Sequence, residues 1–140
     1  MIAIDTNVLL RYLLADDAKQ FTHAQKIIAD HASVLITDVV LAETVWTLTG
    51  KRYGLGKEAI CETLRALVGD GCFVFEDNQV IWTSLRDYEN AKPIRGKSLD
   101  FADVLIANKA HYVASLKGVE LSGFYSFDKA VTQLTAATLC

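Results

Sequence analysis

Val34-Leu35-Ile36-Thr37-Asp38-Val39-Val40-Leu41-Ala42-Glu43 changes character in its middle, and that change decides the fold class. Val34 to Ile36 is a compact apolar run of strand type, and Thr37-Asp38 then offers a helix N-cap to an apolar segment that continues to Leu48. The same order opens the chain. Ile2 to Ile4 is a short apolar run ending at Asp5-Thr6-Asn7, after which Val8, Leu9, Leu10, Tyr12, Leu13 and Leu14 supply helical apolar material. A strand followed by a helix, used twice, implies parallel pairing, right-handed crossovers and helices on both faces of a sheet.

Outward from this stretch the pattern continues. Phe21, Ala24, Ile27 and Ile28 stand at helical spacing within residues 18–31, with polar residues between them, and residues 57–68 make a further helix. Gly69-Asp70-Gly71 turns the chain into a third strand, Cys72-Phe73-Val74-Phe75, and a helix follows over 78–91. Lys92-Pro93-Ile94-Arg95-Gly96-Lys97 reads as a basic loop. The segment 98–115 is apolar nearly all round, which predicts a long helix buried on more than one side. Gly123-Phe124-Tyr125 is a late strand, 127–134 a short helix and 136–139 a last edge strand. The expectation is a three-layer α/β/α sandwich with a central parallel sheet of about five strands. No repeat, low-complexity tract or linker is present, so residues 1–140 are expected to form a single domain.

Hydrophobic residues at 51% and charged residues at 22%, with one proline, exclude a disordered tail. The N-terminus lacks a basic segment, apolar core and cleavage site, and no run reaches membrane-spanning length, so no membrane partner and a cytoplasmic location are expected. Cys61, Cys72 and Cys140 have no paired ligand spacing and are expected to be inert thiols. A net charge of −3 predicts no general attraction to nucleic acid. Acids gathered around a divalent cation would reverse that locally.

The placement of the acids therefore matters more than their number. In open parallel sheets ligands bind beyond the carboxyl ends of the strands. Asp5 ends the first strand and Asp128 follows the late one. Glu43 lies about one turn into a helix among Val39, Val40, Leu41, Ala42, Val45 and Trp46, with no Lys or Arg three or four residues away. Such a carboxylate needs a hydrogen bond, a cation or a metal, because desolvating it costs several kcal/mol. Asp100 and Asp103 share a face near the start of the long helix, where acids also favour the helix dipole. Carboxylates brought together repel unless a hard cation such as Mg²⁺ or Mn²⁺ joins them.

Ile4-Asp5-Thr6-Asn7, Val40-Leu41-Ala42-Glu43, Asp103-Val104-Leu105-Ile106-Ala107 and Tyr125-Ser126-Phe127-Asp128, in this order, resemble the PIN-domain family, and within it the VapC-type toxins of bacterial and archaeal toxin–antitoxin pairs. The resemblance implies an endoribonuclease whose catalytic, metal-binding acids are Asp5, Glu43, Asp103 and Asp128, with Asp100 either an upstream companion or a helix-start acid. It implies Mg²⁺ or Mn²⁺ as cofactor, which lowers the pKa of a bound water and neutralises charge on the phosphate. Thr6 and Asn7 would shape the first turn and hydrogen-bond the first carboxylate or a metal-bound water, and Ser126 would orient the last acid. A homodimer and a cognate antitoxin are the implied partners. RNA contact would fall to flanking cations: Arg95 and Lys97 foremost, then Arg11, Lys51, Arg52 and Lys92. His23, His31 and His111 have no paired-base or ligand spacing and read as packing or surface residues.

Two other readings fit some of the residues. One keeps the metal chemistry in a housekeeping nuclease of RNA maturation. The other is a non-catalytic phospho-acceptor module, which would account for Glu76-Asp77 after the third strand but leaves Glu43 and Asp103 unexplained.

Overall fold

The computed structural model describes residues 1–134 and 137–139; Ala136, at the start of the expected last strand, and Cys140 lie outside the described residues. The chain divides into two compact units, Met1–Asn78 and Gln79–Cys140.

The first unit runs β1 (Ile2–Ala3), α1 (Thr6–Leu14), α2 (Ala18–Ala29), β2 (Val34–Ile36), α3 (Asp38–Thr49), α4 (Lys57–Gly69) and β3 (Phe73–Phe75). Three of its helix starts have a local cause. Asp5 Oδ1 accepts from the Val8 N–H at 2.9 Å, Asp17 Oδ1 from the Gln20 N–H at 2.9 Å, and Thr37 Oγ1 from the Val40 N–H at 3.4 Å. Helix α1 stops where Ala15 adopts a left-handed conformation, φ 50°. The three strands form a parallel sheet in the order β1-β2-β3, with Ile2 opposite Val34 and Val34 opposite Phe73. Val34 and Ile36 of β2, Leu9 of α1, Leu41 of α3 and Ile60 of α4 are fully buried. β2 is therefore apolar on the positions it buries because it is the central strand of a covered parallel sheet.

The second unit contains α5 (Asn78–Asn90, which opens at the boundary), α6 (Phe101–Leu116), β4 (Phe124–Ser126), a 3₁₀ turn over Lys129–Gln133 and β5 (Ala137–Leu139). Its core includes Ile81, Leu85, Phe101, Val104 and Val131, and the Tyr88 and Phe101 rings meet edge to face at 5.7 Å. Buried Ser84 is satisfied by Asn108, whose Nδ2 also donates to Asp87 Oδ2, both at 3.2 Å. Gln133 clamps the Lys92 backbone from both sides: its Oε1 accepts the N–H at 2.9 Å and its Nε2 donates to the carbonyl at 3.0 Å. The basic loop closes as a tight turn, with Ile94 and Lys97 exchanging backbone hydrogen bonds and Arg95 and Gly96 at φ 53° and 75°. Positive φ at both central residues is the type I′ geometry, which glycine tolerates and arginine resists.

The α/β class and parallel pairing agree with the sequence; the single sheet does not. The parallel sheet has three strands, because β4 pairs in parallel with β5, Phe124 opposite Ala137, and so satisfies its backbone groups within a separate two-stranded ladder. The long helix begins at Phe101, after Asp100 as N-cap, and not at Ser98. It is also less buried than an all-round apolar pattern implies, since Ile106, Val113 and Leu116 are exposed. An apolar residue is not bound to be inside.

Candidate functional site

In the first unit the acids of interest sit at the carboxyl edge of the sheet. Asp5 follows β1 and is committed through Oδ1 to capping α1, while its Oδ2 has no hydrogen bond among the described residues. Glu43 projects from α3 toward the same turn, and its Oε2 accepts from Thr6 Oγ1 at 2.7 Å. The Thr6 hydroxyl thus orients Glu43 and not the Asp5 carboxylate. Two turns that are 37 residues apart in sequence are joined by this single contact. Glu43 is exposed, as are Val39 and Trp46 beside it. The desolvation expected from its apolar neighbours therefore does not arise, because Val39 and Trp46 face solvent with it. Asn7 is exposed on α1 and lines a cavity of about 280 Å³ with Arg11 and His23.

Glu76 takes another part. Its Oε2 accepts from the Asp38 N–H at 2.7 Å, so the acid that follows β3 caps the start of α3. This structural use accounts for Glu76 of the Glu76-Asp77 pair.

The second unit gathers Asp100, Asp103, Asp128 and Lys97. Asp103 is half-buried, and its Oδ2 accepts from the Asp100 N–H at 3.3 Å. Burial pushes its carboxyl above the ordinary Asp range; the hydrogen bond from the Asp100 backbone opposes this, the Asp100 and Asp128 carboxylates add to it, and Lys97 offsets part. Asp128 is held differently. Its Oδ1 accepts from the Ala130 N–H at 2.9 Å, its own N–H donates to Ser126 Oγ at 3.0 Å, and its Oδ2 meets Lys97 Nζ at 3.2 Å. The Ala130 N–H, with help from Lys97, keeps its carboxyl below the ordinary value. Ser126 acts on the Asp128 backbone, not on its carboxylate.

The Lys97–Asp128 pair is not foreseen from sequence, where Lys97 reads as an RNA contact. No local pattern announces an ion pair spanning 31 positions; only the tight turn at Ile94–Lys97 brings that ammonium round. Arg95 stands exposed at the tip of the same turn. Among the other basic candidates, Arg11 is bound to Asp16 at 2.8 Å and Arg52 lies over the Tyr53 ring, 5.1 Å from its centre.

The donor chemistry suits a hard divalent cation, since all five acids offer carboxylate oxygen. Asp5, Glu43 and Asp103 are each oriented through one oxygen and keep the other without a hydrogen bond among the described residues. Asp128 keeps its second oxygen on Lys97. Within neither unit do three or more His, Cys, Asp or Glu of the described residues stand as a ready-made metal cage.

Oriented carboxylates at the ends of parallel strands in an α/β chain point to the class of proteins that handle phosphate esters. Residues 2–117 match the PIN domain family, and the chain belongs to it. The match runs through both units. PIN domains are generally nucleases, hydrolases that act on RNA or DNA and generally use divalent metals. No curated protein and no solved structure matches the chain. Among the described residues no helix is long and apolar enough to cross a membrane.

Proposed function

We propose that the chain is a Mg²⁺- or Mn²⁺-dependent endoribonuclease of VapC type, the toxin of a cytoplasmic toxin–antitoxin pair, working as one PIN domain over residues 1–140. Asp5, Glu43, Asp103 and Asp128 are its metal-holding, catalytic acids, with Asp100 as companion. The observation that carries this reading is the PIN-family match over residues 2–117, and half-buried Asp103, whose carboxyl Asp100 and Asp128 both push upward, is the acid it makes most of. A capping box accounts for Asp100 and Asp103 at the start of α6, but it has no use for Asp128.

When bound, the cation supplies a water of lowered pKa and neutralises charge on the phosphate. The chain's own groups prepare for that. Thr6 fixes Glu43, the Val8 N–H fixes Asp5, and Ser126 with the Ala130 N–H fixes the turn at Asp128. Lys97 keeps a positive charge on Asp128 Oδ2, the place a divalent cation would take, and its ammonium would then be available to a phosphate, while Arg95 is left to contact RNA. Trp46, 74% exposed on α3, with Val39 beside it, and Ile106 and Leu116 on α6 supply apolar surface for a second copy and for an antitoxin.

The test is Mn²⁺-dependent cleavage of structured RNA by the wild type beside Asp5→Asn and Asp103→Asn. Each variant is expected to lose on the order of 10²–10³-fold in rate, the scale of removing one charge-stabilising group from a catalytic site. Equal activity in all three proteins refutes the assignment.

A further inference from the structure

Phe127 is 86% exposed and Tyr125 is 68% exposed, and they are two residues apart at the end of β4. Exposure alternates through this stretch, so that Tyr125 and Phe127 make one solvent-facing side and Ser126 and Asp128 a second, half-buried one. The second face is accounted for: Ser126 and Asp128 are bonded to each other and to the following turn. The first face is two aromatic rings in water. Single exposed apolar residues need no explanation, but two large exposed rings, Tyr125 in β4 and Phe127 directly after it, beside a candidate metal-holding acid do.

Their surroundings narrow the occupant. Lys129 is exposed immediately after Asp128, and Lys97 reaches Asp128 from the Ile94–Lys97 turn, so cations accompany the rings. Flat aromatic faces interleaved with lysines suit unpaired nucleotides, whose bases stack and whose phosphates attract ammonium groups. Tyr125 is also laid down in advance. A Cβ built on Gly123 would lie 3.2 Å from Tyr125 Cε2, so the ring rests over the glycine backbone, where a side chain would lift it.

We propose that Tyr125 and Phe127 form a stacking platform for unpaired bases of the RNA next to the phosphate to be cut. The inference rests on the nuclease reading for what is cut, but it concerns binding and can fail separately. A duplex offers no free base faces and gains nothing from the platform.

The experiment measures binding in EDTA, where no cleavage occurs, using a short oligoribonucleotide with one 2-aminopurine. Wild type is expected to bind it and quench its fluorescence through stacking. Phe127→Ala and Tyr125→Ala are expected to weaken binding about 5- to 100-fold and relieve the quench, while Phe127→Trp retains both. A fully paired duplex should bind wild type and Phe127→Ala alike. Both rings are exposed, so circular dichroism and Tm should match wild type in these variants. Unchanged affinity and quench in both alanine variants overturn the platform, as does failure of wild type to bind. It falls equally if the variants alter only sedimentation, which would assign the rings to contact between protein chains. Wild type that binds and quenches yet cuts nothing with Mn²⁺ sinks the nuclease reading and leaves the platform standing.

Discussion

Both units place acids at helix starts, Asp5 and Asp17 in one, Asp100 and Asp128 in the other, and they differ in how a further acid is buried. In Met1–Asn78 the carboxylates are spent on helix starts and kept in water: Asp5 caps α1, Asp17 caps α2, Glu76 caps α3, and exposed Glu43 is tied to Thr6. In Gln79–Cys140 there are fewer acids, yet three crowd one place, where Asp103 is half-buried and held protonation-prone. The net charges run against intuition, −4 for the first unit and +1 for the unit in which burial pushes Asp103 toward its protonated form. Total charge says little about a site. Burial and the distance between like charges decide how much a carboxylate resists ionisation.

The largest expected effect asks whether the units are one cooperative domain. Leu41 of α3 has no exposed surface, so Leu41→Ala should cost about 2–5 kcal/mol. If residues 1–140 unfold together, calorimetry shows a single transition moved to lower temperature. Two transitions, of which only one moves, would break the single-domain reading.

Smaller and opposite in sign are the effects of removing an acid from each unit. Asp103→Asn removes a half-buried charge that two carboxylates oppose, and Tm of the metal-free protein should rise by roughly 3–5 °C, the span of about 1 kcal/mol in a chain of this size. Asp5→Ala removes an N-cap and should cost about 0.5–2 kcal/mol. Thermal melts in EDTA check both. Equal shifts of the same sign would erase the contrast between the units.

The smallest effect is in pH. Asp103 ionises later in the folded chain than in the unfolded one, so its contribution to stability falls as pH rises through its raised folded pKa. Asp128 has the depressed value, and its contribution is present above the unfolded pKa and lost as pH falls through the folded one. Denaturant melts of metal-free wild type should therefore lose stability relative to Asp103→Asn as pH rises from the ordinary Asp pKa of about 3.9 through the raised folded one. Parallel curves for the two proteins would show that Asp103 is not strained.

Much of the first unit was legible because its signals are local. Val34-Leu35-Ile36 followed by Thr37-Asp38 marks a strand and a cap within five residues, and the structure has both. The second unit was harder to read. Gly123-Phe124-Tyr125 has the composition of a strand, but composition cannot say that its partner is β5 rather than the main sheet. Nor can it say that Ile106 and Leu116, or Val39 and Trp46 around Glu43, face water, because apolar pattern records what a residue can bury and not what covers it.

Sequence by itself determined the α/β class, the start of α3 behind Thr37 and the likeness to the PIN family, since caps, periodicity and motif order act over a few positions. Tertiary structure alone decided that Thr6 serves Glu43, that Glu76 caps α3, and that Lys97 sits on Asp128. Each of those contacts spans more than thirty residues or depends on a turn, and electrostatics and hydrogen bonding answer to distance in space, which no spacing along the chain encodes.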